Sequence, residues 1–401
     1  MVTVAEYTAG FEARARDVLV PAAGVVPALA DRAAAAGLSA DDLGSLASLC
    51  RLPILTKDDV LELQAKAPPF GGLLDPRTTL RRVFQSPGPL YEPEPDVPDH
   101  WRGAPALVAA GFTAADVVLN CFGYHLSPAG VMFEESCRVI GATVVPGGVG
   151  NMDLQVRAAR DVGVTAYTGT PSYLKALLEK AADLDGPPLS FERAVVGAEP
   201  LPPSLRSWLG ERVSTLRQMY GTAEAGLLGY ECEEISGWHV PDDALVEVCA
   251  LDDGQPVSEG TEGQVVVTLF SSHYPLVRFG TGDLSAFAAG DCPCGRATPR
   301  LVGWLGRSGE AVKVRGMFLH PRQVVQVMSQ VPSVAAYRFL IDRVDHKDVL
   351  RCEVVPASGA GDPAAAVKDA VRSGLRFDVE VSVVSGLEDD VPPVSDLRTW
   401  D

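Results

Sequence analysis

Residues 164–199 read VTAYTGTPSYLKALLEKAADLDGPPLSFERAVVGAE, and this stretch decides the fold class. VTAYTGTP (164–171) is a short apolar run closing on small residues. SYLKALLEKAADL (172–184) sets Leu and Ala at helical spacing, and RAVVGAE (193–199) is a second short apolar run. Strand, helix, strand at this spacing predicts parallel strands joined by a crossover and buried on both faces. The unit repeats on either side. ADVVLNCFGYH (115–125), TVVPGG (143–148) and TLRQMYG (215–221) read as strands with loops. GVMFEESCRVIGA (130–142), MDLQVRAARDVG (152–163) and PPSLRSWLGER (202–212) read as helices. Alternation of this kind gives an α/β layer.

The pattern changes away from this centre. Residues 1–66 read as helices broken by turns, and a Pro/Gly-rich segment follows from Pro68 to Pro105. Leu228–Leu305 carries short strands such as ALVEVCAL and GQVVVTLF, a β-rich subdomain. GWLGRSG (303–309) has the composition of a hinge. The strands and helices after it, AVKVRG, PRQVVQVMSQV, AAYRFLID, VLRCEVVPA, DPAAAVKDAVRSG and VEVSVVS, make a small α+β domain in βαββαβ order. The expected domains are 1–306 and 307–401, the second mobile.

Composition limits the partners. The net charge is −18, from 34 basic and 52 acidic residues, so phosphate backbones and anionic lipid are repelled. No nucleic-acid or membrane partner is expected. A 47% hydrophobic, 21% charged chain is globular, and no stretch reaches the ~18 apolar residues of a membrane span. The N-terminus lacks an apolar signal core, so a cytoplasmic location is expected. The eight cysteines are then reduced there, and clustered ones read first as metal ligands. Cys232 and His239, with Cys292 and Cys294, form a Cys₃His set suited to a closed structural zinc site; four unconnected reduced residues are the alternative. Cys50, Cys137, Cys249 and Cys352 lie in apolar contexts and read as core.

Seven motifs follow one another: TGTPSYL (168–174), VGAEPL (196–201), YGTAEAG (220–226), RFGTGDL (278–284), CPCGR (292–296), GRSGEAVKVRG (306–316) and FLHPRQV (318–324). This succession resembles the phenylacetate–CoA ligase branch of the adenylate-forming enzymes over about residues 75–330. The resemblance implies a large N-terminal domain and a small C-terminal one. It implies activation of an acyl or aryl carboxylate as an adenylate and transfer to a thiol. The implied cofactors are ATP/AMP, Mg²⁺ and CoA. The implied partners are a small acyl or aryl substrate, free or bound to CoA or a carrier protein, and a second copy of the chain in a homodimer.

Residue roles follow from type and resemblance together. Gly197 and Ala198 have little side chain to obstruct a planar base, and the resemblance puts adenine there, beside Glu199. Tyr220, after which Gly221 follows, can stack on the base, and Thr222 can bond a phosphate. Glu224 resembles the family's magnesium-binding glutamate. Asp283 is an acceptor suited to two ribose hydroxyls, or a turn residue. Arg307 resembles a second ribose or phosphate contact. The acyl pocket is expected from Cys121, Phe122, Gly123, Tyr124 and His125, from Pro146–Gly148, and from Tyr167, Thr168, Gly169 and Thr170. His125 reads either as a general base beside the acyl carbon or as a structural hydrogen-bonder. Cys121 reads as a buried cysteine or a nucleophile.

Two departures stand out. The segment where the family carries a Ser/Thr/Gly-rich phosphate loop with a lysine is VFQSPGPLYEPEP (83–95), which has no Lys, four prolines, and two glutamates, Glu92 and Glu94, set to repel phosphates. The tail VPPVSDLRTWD (391–401) has Arg398 as its one cation, where the family places a lysine. An ATP-independent hydrolase or acyltransferase acting on a thioester, and a non-catalytic acyl or nucleotide binder, therefore stand beside the ligase reading.

Overall fold

The computed structural model describes residues 3–86, 89–308, 312–315, 317–319, 321–345, 347–388 and 392–399. The expected hinge residues Gly309 and Glu310 lie outside this set, as do Pro87, Gly88 and His320. The chain divides into two compact units, Met1–Leu201 with Leu205–Ser308, and Pro202–Ser204 with Gly309–Asp401.

In the first unit, α1 (Lys57–Lys66) precedes a hairpin of β1 (Leu80–Gln85) and β2 (Tyr91–Pro95). The α/β layer follows: β3 (Val117–Asn120), α2 (Ala129–Ile140), β4 (Thr143–Pro146), α3 (Met152–Val162), β5 (Ala166–Gly169), α4 (Pro171–Asp183), β6 (Phe191–Val196) and β7 (Val213–Thr222). These strands pair in parallel in the order β7-β6-β5-β3-β4. Period-two alternation explains how both faces are filled. Val118, Ala166 and Val195 join one hydrophobic cluster with Phe133 of α2. Leu119, Tyr167, Ala194 and Val196 join another with Val156 of α3 and Leu174 and Leu177 of α4. Each such fully buried large side chain contributes about 1.5–3 kcal/mol. The helix α4 starts where Thr170 caps it by accepting from the Tyr173 N–H, with Pro171 in its first turn, and buries Leu174, Leu177, Leu178 and Ala181 along one stripe.

From β3 the chain moves outward to β4, then returns across β3 to β5, β6 and β7. The order therefore reverses between β3 and β5. A crevice outside the carboxyl ends of parallel strands at such a switch point is where open α/β sheets bind ligands.

Beyond β7 the sheet turns antiparallel through β8 (Gly226–Tyr230), β9 (Trp238–His239) and, after it in sequence, the short strand Arg300–Leu301. A second, antiparallel sheet holds β10 (Ala244–Cys249), β11 (Gly263–Leu269), β12 (Phe279–Ser285) and Gly306–Arg307. The N-terminal helices bury Tyr7, Phe11, Leu19 and Leu29 in a cluster with Val246, Val265 and Phe279 of this sheet. The second unit has a sheet in the order Glu380–Val383, Lys347–Pro356, Val334–Val344, Val394–Asp396, and the helices Pro321–Met328 and Ala364–Leu375. Its order follows the expected one with two additions, Met317–Leu319 and Val394–Asp396, both three-residue strands too short to show a period. Among the described residues no single helix is long and apolar enough to cross a membrane.

Candidate active site

The loops after β3, β4, β5, β6 and β7 all leave the carboxyl edge of the sheet. Asn120 ends β3, fully buried, and it knits this edge together. Its amide donates to the Tyr124 hydroxyl and to the Gly130 carbonyl, both at 2.7 Å, and its carbonyl oxygen accepts from Thr168 at 3.1 Å. One residue thereby joins β3, β5 and the start of α2. The sequence reading missed it; an amide ending an otherwise apolar strand was the available signal. The Tyr124 ring lies so close over Gly130 that a Cβ there would meet it at 2.8 Å. A Cβ on Gly148, whose φ is +62°, would lie 3.9 Å from the same ring. Gly123 faces open space. His125 is exposed on this loop.

Two expected pocket walls are core residues instead. Tyr167 is fully buried, tilted against Phe191 at 5.6 Å, and its hydroxyl donates to the Thr170 carbonyl. Strand alternation sends it to the α3/α4 face, opposite the Thr168 hydroxyl. Phe122 is buried and stacks on Phe133 at 4.4 Å under α2. Gly169 is required locally, since any Cβ would collide with the Tyr167 hydroxyl. Burial pushes the Cys121 thiol up to about 12, which leaves no thiolate to act as a nucleophile.

At the end of β6, a Cβ on Gly197 would lie 3.0 Å from the Met219 carbonyl, so the backbone passes β7 at close range. Ala198 follows at φ +66°, a left-handed conformation that costs a non-glycine residue about 1 kcal/mol. Glu199 accepts a 2.6 Å hydrogen bond from Ser172 in the first turn of α4. Tyr220 stacks on Trp238 at 5.2 Å and donates to Asp283 at 2.9 Å. The other Asp283 oxygen accepts from the Trp304 indole and lies 3.1 Å from Arg307. Thus Tyr220 and Arg307, remote in sequence and half-buried, meet on the buried Asp283, and Trp304 joins them unforeseen.

Gly221 and Thr222 pair with Leu227 and Gly226 to close the β7–β8 hairpin. Thr222 accepts from the Ala225 N–H, and Trp101 clamps the tip by donating to the Ala223 carbonyl and accepting from the Leu227 N–H. This sets Glu224 at the tip, 6% exposed. Its Oε1 meets the Lys57 ammonium at 2.8 Å, and its Oε2 is buried without a hydrogen-bond partner. Burial raises the Glu224 carboxyl, but Lys57, helped by the local backbone and Thr222, outweighs it and holds the group below its ordinary range. Lys57 comes from the first position of α1, far from every motif, and no sequence signal pointed to it.

The described residues of 83–95 lie largely in β1 and β2, and Glu92 and Glu94 face inward. Glu94 is buried against Arg82 at 2.8 Å. Glu92 is buried beside Ser86, whose hydroxyl donates to it at 3.3 Å. Burial first, and then the charge of Glu224, push the Glu92 carboxyl well above its ordinary value. Glu92 therefore takes a proton readily and adds less repulsion than its type suggested. In the second unit, Arg398 is held by Asp396 at 2.6 Å and Asp348 at 3.0 Å, committed to the fold of that unit.

Cys232, His239, Cys292 and Cys294 converge, their ligand atoms all within 4.8 Å of one another. Cys232 Sγ lies 3.6 Å from Cys292 Sγ, and Cys294 Sγ 3.3 Å from His239 Nε2. His239 Nδ1 lies 3.0 Å from the Thr298 carbonyl, which fixes the ring with Nε2 toward the sulfurs.

Comparison with known proteins agrees with this geometry. Residues 101–269 match the family described as AMP-binding enzyme. The chain is 31% identical over 325 residues to the phenylacetate-coenzyme A ligase of Thermus thermophilus, covering 77% of this chain and 72% of that one. It is 28% identical over 368 residues to the phenylacetate-coenzyme A ligase of Aromatoleum evansii, covering 87% and 82%. The crystal structure of a 2-hydroxyisobutyryl-CoA ligase superposes with a TM-score of 0.87 at 23% identity, covering 98% of this chain and 90% of that one, and so shares the fold. On the identity to the Thermus enzyme and the share of both chains it spans, this chain belongs to the phenylacetate–CoA ligase family of adenylate-forming enzymes.

Proposed function

We propose that the chain activates a small acyl or aryl carboxylate as its adenylate and passes the acyl group to the thiol of coenzyme A. In the first step a substrate carboxylate oxygen bonds to the α-phosphorus of ATP, and pyrophosphate leaves. In the second, a thiolate attacks the acyl carbon and AMP leaves. The observation that carries the reading is the meeting of the half-buried Tyr220 and Arg307 on the buried Asp283. An aromatic ring, a carboxylate and a guanidinium in contact are the groups a nucleoside monophosphate needs. The face formed by Tyr124, Gly123 and Gly148 would take the acyl group, with the exposed His125 beside it. Glu224 is the residue to hold magnesium, since its buried Oε2 lacks a donor and a hard cation would satisfy it. The ion would supply charge neutralisation for the phosphates.

The Cys₃His set fits a tetrahedral zinc ion in donor type and spacing. A closed set has no position for substrate, so its part is to hold β8, β9 and the loop before Arg300–Leu301 together. The test of function is incubation of the protein with ATP, Mg²⁺ and a panel of acyl and aryl carboxylates, reading pyrophosphate, followed by CoA, reading thioester. Acid-dependent pyrophosphate release is expected. Nucleotide binding without release for any acid, together with hydrolysis of an acyl thioester in the absence of ATP, would overturn it.

A further inference from the structure

We propose that Lys57 is the cation on the leaving pyrophosphate in the adenylation step, supplied from the N-terminal helix because the segment 83–95 holds no lysine, Arg81 and Arg82 of β1 are paired with Glu135 and Glu94, and Arg398 of the tail is held by Asp348 and Asp396. The inference rests on the adenylation reading above.

The placement of Lys57 is costly for the fold alone. It sits at the first position of α1, behind the Thr56 cap and its reciprocal bond with Asp59. That end of a helix is positive, and a cation there is disfavoured. Fixing a lysine side chain also costs rotamer freedom. The side chain is nevertheless only 19% exposed and held to Glu224 at 2.8 Å. Its position is also braced. Gln64, two turns along α1, exchanges two hydrogen bonds with the Tyr91 backbone, at 2.8 and 2.9 Å, and so ties the helix to the β1–β2 hairpin. Helix, hairpin and β7–β8 tip thus bring Lys57, Glu92 and Glu224 to one corner.

That corner is unfinished as a structural ion pair. Glu224 gives one oxygen to Lys57 and leaves the other buried with no donor. A pair kept only for stability would satisfy both oxygens or be replaced by apolar packing. The hairpin segment 83–95 contains no lysine, and Arg398 is bound to Asp348 and Asp396. Lys57 is a compact charge on a flexible stem, so its ammonium can meet a phosphoryl oxygen while staying beside Glu224. The chemistry balances without a proton transfer. The bond from the α-phosphorus to the bridging oxygen breaks, its electron pair leaves with pyrophosphate, and Lys57 remains an ammonium beside the new charge.

The test compares the native chain with Lys57→Ala, Lys57→Met and Lys57→Arg in four measurements. These are pyrophosphate–ATP exchange with an active acid, calorimetric binding of ATP and of AMP, thioester formation from CoA and pre-made acyl-adenylate, and melting temperature. Loss of a positioned charge on a leaving group costs about a hundredfold or more, so exchange should fall by that factor in Lys57→Ala. Lys57→Met keeps the apolar stem and gives the same reading where alanine unfolds. ATP binding should weaken while AMP binding and thioester formation stay within about twofold, and Lys57→Arg should recover part of the exchange. Exchange that survives in both neutral variants overturns the role of Lys57 alone. So does an equal loss in exchange, AMP binding and thioester formation, which marks a structural ion pair. A native chain with no exchange for any acid fails earlier, and takes the adenylation reading down with it.

Discussion

Two clusters of ligand-type side chains lie buried in the same unit, and they are finished to different degrees. In the Cys₃His cluster the four ligand atoms face one another and the histidine's second nitrogen is engaged by Thr298. In the phosphate corner, Glu224 keeps an unsatisfied oxygen, Glu92 is pushed well above its ordinary value, and a lysine stands at the wrong end of a helix. An unmade hydrogen bond on a buried group costs about 1–3 kcal/mol, so the second cluster holds a cost that the first does not. The first is built to be closed once. On the adenylation reading the second receives a ligand and releases it, one reason such a cost persists.

The largest effect should come from breaking the finished cluster. Cys292→Ser removes a soft ligand where no other group can take its place. Loss of a structural metal belongs to the class of substitutions that cost about 4–5 kcal/mol or more, and the variant should melt far below the native chain or fail to accumulate. Metal analysis of the native protein should give about one zinc per chain, and of the variant much less. A variant that keeps both its melting temperature and its metal content would show that the four residues only share a neighbourhood.

The two clusters also differ in how far the sequence revealed them. Cys292-x-Cys294 is a local pattern whose chemistry follows from spacing, and Cys232 and His239 fall in the same turn-rich region. The α/β layer was legible for the same reason, because period and composition are local: every strand from β3 to β7 falls within a predicted run or two residues of it. Asp283 and Tyr220 carried their own motifs, and the structure adds Trp304 on the other oxygen of Asp283. The phosphate corner had no such signal. Lys57 stands in KDDVLELQAK, which reads as an ordinary capped helix, and Glu92 stands in a run that reads as a proline-rich loop. Their meeting depends on the Gln64–Tyr91 bonds and the Trp101 clamp, which are tertiary contacts across long separations. Tyr167 and Phe122 failed as pocket residues because the direction a strand or loop side chain takes is set by register, which composition does not carry.

An intermediate effect should come from Glu224→Gln. The substitution keeps the shape of the side chain and removes the charge that both Lys57 and a hard cation need. Magnesium-dependent ATP binding should weaken by about tenfold or more, equivalent to about 1.4 kcal/mol, while AMP binding is retained through Tyr220, Asp283 and Arg307. Calorimetric titration with each nucleotide, with and without Mg²⁺, separates the two. Equal loss for AMP and ATP would mean that the hairpin tip, rather than the carboxylate, had been disturbed. The Cys₃His cluster should be untouched, with zinc content unchanged, and this contrast sharpens the distinction between a closed site and a working one.

The smallest effect, and the most specific, should come from Glu92→Gln. Burial and the neighbouring Glu224 raise the Glu92 carboxyl well above its ordinary value of 4.5, and Lys57 offsets only part of this. The folded chain therefore holds the proton to higher pH than the unfolded chain does. A group of that kind contributes stability fully below the unfolded value, and loses it as pH rises through the folded one. The native protein should accordingly lose stability between about pH 4.5 and the higher pH at which Glu92 ionises. Glutamine cannot ionise and retains the acceptor that Ser86 uses. The variant should match the native chain near pH 4.5 and melt at a higher temperature than it at pH 8. Melting curves for both proteins across this range decide the matter. A constant difference at every pH would mean that Glu92 stays in one protonation state throughout, and that the cost in the phosphate corner sits on the unsatisfied oxygen of Glu224 alone. A difference that opens with rising pH would locate part of the cost in Glu92, and would show that the hairpin is neutralised by protonation where a phosphate loop is neutralised by lysine.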